Sequence, residues 1–499
     1  MEKVGYEICE AGKVLGYARN LHFNVSKWRE SSLIKESFCY CSQYIYRILY
    51  RCIREGIYLN YYEAIKYIEN TSRFGVKLGL KRTERMLELL GNPHKSTRYI
   101  HIAGTNGKGS TTAMITRVLM EAGYKVGMYT SPYVEEFEER IQINNKNIPK
   151  NKLSDIVEEI SNIVPKVINE GLGNPTYFEI LTCMGLLYFY KENVDFAVIE
   201  VGLGGRLDST NIITPIISII TSISFDHMNV LGNTLSDIAY EKGGIIKENI
   251  PVILYPQKYE AEKVIENICS LRNCKLIKVN KDSVKYSYSS LKIDCKSDKN
   301  ILQKFDLHTD LDKYEIELSL LGKHQLLNCA TAVYAVEELI NNGVPIYKEA
   351  ILNAFKNVKW PGRLEILNNN PLIVIDGAHN IDGIKKLREN IDSYFSYNNL
   401  ILILGILADK QVKEMIETIV PLAKEVITVT PHNDRAELAT DLMDEVKKIN
   451  FKCQAIEDYE TAFEKALNYY KSGDMILISG SLYMVGDMRK IIRKRNSNL

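Results

Sequence analysis

The sequence predicts an α/β protein with two sheet-bearing domains, on three observations. Short apolar runs such as FAVIEV and IISIIT show no alternation, so they read as strands buried on both faces. Stretches of helical period separate them, the order that builds a parallel sheet between layers of helices. Near Trp360 a run rich in Pro, Gly and Asn, WPGRLEILNNNP, interrupts the pattern, which then starts afresh. The expected division is an N-terminal extension over residues 1–58, a larger domain over 59–358 and a smaller one over 359–499.

Taken in order, YYEAIKYIENTSRF and GLKRTERMLELLG place apolar residues at helical spacing and stop at Gly91-Asn92-Pro93. RYIHIAG is a short strand closing in glycine, STTAMITRVLMEAG a helix, and KVGMYTSP the next strand. FAVIEVGLGG, IISIITSISFDH and PVILY repeat the theme of a buried strand running into a loop. Beyond the break, LIVIDGAHN, LILILGILADK, EVITVTP and MILISGSLY form the second set, with helix-like segments between them.

Bulk properties narrow the function classes. At 499 residues the chain exceeds one ordinary core. A formal net charge of +1 makes no electrostatic case for nucleic acid as a partner. Glu2, Lys3, Glu7, Glu10 and Lys13 leave no apolar secretory leader, and the longest apolar runs, such as Ile212–Phe225, are too short for a bilayer. The ten cysteines form no CxxC pair, and Cys39-x-Cys41 alone cannot hold zinc, so a reduced, cytoplasmic setting is expected. Residues 1–58 hold four of those cysteines and mix basic and aromatic side chains. They read as a weakly ordered appendage or a helical extension, and Arg47, Arg51 and Arg54 leave a membrane-surface helix open.

The chemistry starts at HIAGTNGKGS, His101 to Ser110. It departs from the common G-x-x-x-x-G-K-[ST] loop: Ile102 replaces the first glycine, and Gly109 separates Lys108 from Ser110. A strand, a glycine turn and a helix in that order offer exposed N–H groups and a helix N-terminus to phosphate oxygens. By itself the loop fits either a phosphate cradle or a glycine-rich turn with a solvated lysine. Glu200 ends one buried strand, Asp226 and His227 follow the next, and Ser131 follows a third. In open α/β sheets ligands bind at such strand ends, and carboxylate with imidazole is part of a divalent-cation shell.

The ordered set HIAGTNGKGS, TSPYVEEFEERIQIN, TYFE, EVGLGGRLDSTN, DHMNVLGNTLSDIAYEKGGIIK, GKHQLLNCATA, WPGRLE, DGAHN, GILADK and SGSLYMVGDMR resembles the folylpolyglutamate synthase/dihydrofolate synthase family. That family belongs to the Mur ligase superfamily of ATP-dependent amide-forming ligases. The resemblance spans about Leu59 to Arg489 and does not reach residues 1–58. It implies a P-loop ATPase domain with a parallel sheet, closed over by a smaller Rossmann-like α/β domain. It implies a monomeric enzyme, with no nucleic acid and no membrane span, that joins L-glutamate to folates and to dihydropteroate through an acyl phosphate. A ligase of cell-wall precursors and a P-loop kinase or switch NTPase are the alternatives.

Carried over residue by residue, the resemblance assigns Gly104, Thr105, Asn106, Gly107, Lys108, Gly109 and Ser110 to ATP phosphates. Asn328, Arg363 and Asp376 match nucleotide-contacting positions; His379 shares the Asp376 loop, and Ser479–Ser481 form the loop of SGSLY. Ser131, Glu200 and His227 are implied magnesium ligands, with Lys242, carbamylated, holding a second magnesium and potassium in the second sphere. Leu78 and Gly79, with Thr176, Tyr177, Phe178 and Glu179, resemble pterin-side contacts. Plainer roles stay open: Lys242 as a surface lysine, Arg363 paired with Glu365, Asp376 as a turn residue, and TYFE as core aromatics with an exposed carboxylate. The chain departs from the family pattern at Ser209, Gly243 and Cys329, none of which removes a functional side chain.

Overall fold

Burial along the strand before the glycine loop shows why the larger sheet is covered twice. In β1 (Arg98–Ala103), Ile100 and Ile102 join one apolar cluster while Tyr99 joins another on the opposite face. The computed structural model describes residues 59–75, 79–286, 293–294, 296 and 301–496. Leu78 and the pair Cys39 and Cys41 lie outside them.

Chain order continues with β2 (Val126–Tyr129), β3 (Ile141–Ile143), β4 (Lys146–Asn147), β5 (Phe196–Glu200), β6 (Ile217–Ile220), β7 (Val252–Leu254) and β8 (Leu276–Lys278). These eight strands lie in the spatial order β4-β3-β2-β5-β1-β6-β7-β8. All are parallel except β3 and β4, which add an antiparallel hairpin at one edge. Helices α1 (Tyr61–Asn70), α2 (Lys81–Leu89), α4 (Lys150–Val167) and α5 (Tyr177–Lys191) build the cluster on the Tyr99 face. The opposite face is covered by α3 (Lys108–Glu121), α8 (Lys323–Asn341) and α9 (Lys348–Asn357). Near the β6 and β7 side, α6 (Leu235–Gly243) and α7 (Tyr259–Leu271) close a third cluster.

A small antiparallel sheet, β9 (Val284–Tyr286), β10 (Gln303–His308) and β11 (Lys313–Leu318), pairs in the order β11-β10-β9. After it, β12 (Glu365–Asn369), β13 (Leu372–Asp376), β14 (Leu400–Leu404), β15 (Ala423–Thr428), β16 (Cys453–Ala455) and β17 (Met475–Ser479) form a six-stranded sheet ordered β12-β13-β17-β14-β15-β16. Its helices are α10 (Ile381–Tyr394), α11 (Val412–Ile419), α12 (Ala439–Lys447), α13 (Tyr459–Tyr469) and α14 (Leu482–Asn496). Only β12 runs antiparallel, so the EILNN part of the WPGRLEILNNNP break is an edge strand. An edge tolerates its Asn-rich end because one row of backbone groups stays unpaired there.

Among the described residues no helix is long and apolar enough to cross a membrane. Cys183, Cys269, Cys274, Cys329 and Cys453 are free thiols.

Candidate active site

Strand order decides what meets. β2, β5, β1 and β6 are parallel neighbours, so their C-terminal ends open on one edge. β2 leads to Ser131, β5 ends on Glu200, β1 runs into Gly104–Ser110, and β6 leads to Ser222, Asp226 and His227. From the smaller sheet, neighbouring β13 and β17 lead into the loops of Asp376 to His379 and Ser479 to Ser481. Between the two sheets lies a cavity of about 610 Å³ that both sets line.

The loop's odd spelling has a steric cause. Gly107 takes φ +92° at the N-cap of α3, where a side chain would also meet Asn328 Oδ1 at 2.6 Å. A Cβ on Gly109 would lie 2.7 Å from the Trp360 ring, which is therefore pressed against the start of α3. The extra glycine between Lys108 and Ser110 is what lets the interdomain linker approach. Ser110 Oγ accepts from Gln325 Nε2 at 3.1 Å, and Asn328 Nδ2 donates to Gln325 Oε1 at 3.0 Å. The loop itself is held to the β6 side by Thr105 N and Asn106 N, both donating to Ser222 O, at 2.7 and 3.2 Å.

Two lysines converge on one carbonyl. Lys108 Nζ donates to Gly104 O at 3.1 Å and Thr105 O at 3.2 Å, and Lys242 Nζ donates to Gly104 O at 2.9 Å. Lys242 is buried, and burial, with the charge of Lys108 adding to it, brings its ammonium down to about 7. The plain reading of Lys242 as a surface lysine is thus ruled out. Glu200 is also buried, which pushes its carboxyl up against the pull of Lys108, Ser131 N–H and Arg363. Its one hydrogen bond among the described residues, from Ser131 N, is long at 3.3 Å. A buried carboxylate so thinly satisfied is short of a cation.

Asp226 joins the two halves. It accepts from Lys410 Nζ at 2.6 Å and Asn380 Nδ2 at 3.1 Å, both from the smaller α/β part, and from His227 N at 2.9 Å. Burial works against its charge, but His227, Lys410 and His379 outweigh it and hold the carboxyl well below its usual range. Asn106 of the loop bonds Asn380 and Asp382 across the same seam. Burial holds His227 below its usual value, and Asp226 opposes the shift.

Most expected residues line the cavity: Gly104 to Ser110, Ser131, Thr176, Tyr177, Phe178, Glu200, His227, Lys242, Asn328, Arg363, Asp376 and His379. Gly79 and Glu179 do not. Glu179 is buried, caps α5 through Thr176 N at 2.7 Å and pairs with Arg82 Nε at 3.0 Å, so it is neither exposed nor part of the wall. No Arg363–Glu365 pair forms; Glu365 bonds Arg489 instead, and among the described residues Arg363 is left without an ion pair beside the cavity. Asp376 does brace its turn, accepting Leu364 N and Ala378 N at 2.8 Å each. His379 Nδ1 faces Gly377 O at 2.8 Å; a carbonyl only accepts, so Nδ1 carries the proton and Nε2 is the ring's acceptor. Burial first, then Arg363, lowers this ring to about 4, so it stays neutral.

Arg140, Gln325 and Lys410 also belong to the wall and were not singled out from the sequence. Arg140 is buried beside Tyr133, Phe137 and Tyr177, its guanidinium carbon 5.0, 6.0 and 5.8 Å from their ring centres, and its Nε has no hydrogen-bond partner. Among the described residues no three His, Cys, Asp or Glu side chains gather as a ready metal cage. Glu200, His227 and Ser131 bring carboxylate, imidazole and hydroxyl donors of the kind a divalent cation takes, and the buried Lys242 lines the same cavity.

Two family models match the chain, the Mur ligase middle domain over residues 102–336 and the Mur ligase glutamate ligase domain over 362–482. A dihydrofolate synthase/folylpolyglutamate synthase of Bacillus subtilis is 37% identical over 436 residues, covering 87% of this chain and 99% of the relative. The crystal structure of folylpolyglutamate synthase from Thermotoga maritima aligns with a TM-score of 0.75 at 34% identity, over 87% of this chain and 97% of its own. Folylpolyglutamate synthase of Mycobacterium tuberculosis complexed with ADP and AMPPCP gives a TM-score of 0.79 at 26% identity, over 87% and 99%. A likeness that runs through both sheets and nearly the whole length of each relative exceeds a shared fold: this chain belongs to the dihydrofolate synthase/folylpolyglutamate synthase family of Mur ligases.

Proposed function

We propose that the cavity joins L-glutamate in amide linkage to folates, tetrahydrofolates and dihydropteroate alike, using ATP and releasing ADP and phosphate. The observation that carries this reading is one cavity lined at once by a phosphate loop, an aromatic wall at Tyr177 and Phe178, and cations and Ser481 from the smaller α/β part. A carboxylate is a poor electrophile. Transfer of the γ-phosphoryl group of ATP to it gives an acyl phosphate; the glutamate amine then attacks, and the tetrahedral adduct collapses to amide and phosphate. The protein's part is positioning and charge neutralisation.

Lys108 is free to leave its own loop carbonyls for the β and γ phosphates, and the unpaired Arg363 adds a second cation beside them. Arg140, buried under aromatic rings and without a carboxylate partner among the described residues, suits an anionic group of the folate. Ser131, Glu200 and His227 would hold magnesium, which supplies charge neutralisation of the phosphates when bound. At about 7, Lys242 holds much neutral amine at neutral pH, the form that takes up carbon dioxide. Its carbamate would add a further anion. His379, neutral and with Nε2 as acceptor, is suited to orient the incoming amine.

In this reading the working unit is a monomer, which sedimentation tests. A cytoplasmic setting follows from the use of ATP and glutamate. The cell-wall alternative is disfavoured by the relatives above. Parallel glutamate-incorporation assays with 7,8-dihydropteroate and tetrahydrofolate test the proposal: both should yield ADP and a new amide by mass spectrometry. ADP release with UDP-linked muropeptides but with neither pterin substrate would overturn it.

A further inference from the structure

Two motifs face each other through residues that the chemistry has not used. SPYVEEFEER forms the loop after β2, and SGSLYMVGDMR runs from the end of β17 into α14. Arg489, in α14, donates through Nε and Nη2 to Glu365, at 2.7 Å for Nη2, and through Nη1 to Glu135. Glu135 lies four residues after Ser131, and Glu365 lies two residues after Arg363. The guanidinium therefore bridges the loop that carries one proposed metal ligand to the linker that carries one proposed phosphate cation. Glu365 further accepts Gly362 N at 2.8 Å, which fixes the linker turn itself.

The contact is neither loose nor superficial. The Arg489 and Glu135 side chains are 13% and 14% exposed, well below the range of surface pairs that contribute little. One turn earlier on the same helix face, a Cβ on Gly486 would lie 1.7 Å from Val134 O. Only glycine lets α14 come this close, and Val134 and Glu135 are consecutive. Steric fit and charge thus select the same seat for the loop. Arg489 itself does not line the cavity.

We infer that Arg489 is a positioning residue for the ligase reaction: seated on Gly486, it docks the smaller sheet and so brings Ser131 and Arg363 into register across the phosphates. The inference rests on the ligase reading above. It is tested in the full chain with Arg489→Ala, Arg489→Lys, Glu135→Gln and Gly486→Ala, by steady-state kinetics, thermal melting and small-angle scattering. Arg489→Ala and Gly486→Ala should each lower kcat about tenfold or more, since small misplacements of reacting groups are costly. Melting points should move only a few degrees, and the radius of gyration should rise. Arg489→Lys, which keeps the charge but cannot span two carboxylates, should recover only part of kcat. Glu135→Gln should lower kcat alone yet add little in the Arg489→Ala background. A kcat for folded Arg489→Ala within about twofold of the parent would overturn the inference, as would losses that simply add. Should Arg489→Ala fail to fold, Glu135→Gln decides by the same criteria. An inactive parent would instead sink the ligase reading, while scattering still reads the docking.

Discussion

Lys242 shows how burial prepares a side chain. An amine that titrates near 10.4 in water is held at about 7 by its buried site and by Lys108, so pH 7 leaves a large neutral fraction. Lys242→Ala is expected to lose glutamate incorporation about a hundredfold or more, with short carboxylic acids restoring part of it by standing in for the carbamate. Undiminished activity would remove that role. The pH dependence has a definite sign: the neutral form gains above about 7, so recovery of activity after carbon dioxide depletion should be faster at pH 8 than at pH 6. His101, in β1, makes a separate point about stability. It is fully buried, bonded to Thr210 Oγ1 at 2.9 Å, and burial, with Lys247 adding to it, lowers the ring to about 3. The unfolded chain takes up a proton near 6.5 that the native state refuses, so stability present above 6.5 is lost as pH falls towards 3. His324 and His379, at about 3 and about 4, act in the same window. His101→Gln, able to keep the Thr210 contact without titrating, should therefore lose about 2 kcal/mol less than the parent between pH 7 and 5 in urea unfolding.

At the scale of elements, Gly243 is informative because it stands inside α6, where alanine is the better helix former. The exchange would favour α6 by up to about 1 kcal/mol on helix propensity. Yet a Cβ at this place would lie 2.5 Å from Ile268 Cδ1 and 3.1 Å from Ile265 Cδ1, both on the neighbouring α7. The helix gave up propensity to seat a larger neighbour. Gly243→Ala should be neutral or destabilising alone and become favourable beside Ile268→Val, which removes the obstructing methyl. A double-mutant cycle of melting free energies checks this, and strict additivity would refute it. The same physics explains which elements were legible. Continuous apolar runs announced β1, β2, β5, β6, β7, β13, β14, β15 and β17, five of them (β1, β5, β13, β14 and β17) with a glycine exit, because both faces of those strands are largely buried. The hairpin of β3 and β4 turns on Asn144-Asn145, both at positive φ, a signal tighter than any hydrophobic run. In β10 and β11, polar residues alternate with buried ones, since only one face is covered, and a search for continuous apolar runs passes over them.

For the whole molecule, legibility ends where the two sheets meet. Strand-end residues such as Glu200 and His227 could be read from position, because parallel neighbours open on one edge. The seam could not: Lys410 meets Asp226 across 184 residues, and Asn380 meets Asn106 across 274. No local pattern encodes such pairs. Arg140 was hidden for another reason, since a charged residue at the end of an acidic loop gives no sign that it will be buried among rings. The residues that line the cavity all lie within residues 59–499, which pack as one unit. The B. subtilis relative, 99% covered, matches 87% of this chain, and the two Mur ligase models fall within residues 102–482. Removing residues 1–55 is therefore expected to leave kcat and KM for glutamate within about twofold and the melting temperature within a few degrees. Leu59 and Asn60 must be kept, because Asn60 caps α1 through Glu63 N at 3.1 Å. Lost solubility or activity in the shortened chain would show that the first 58 residues support the ligase core.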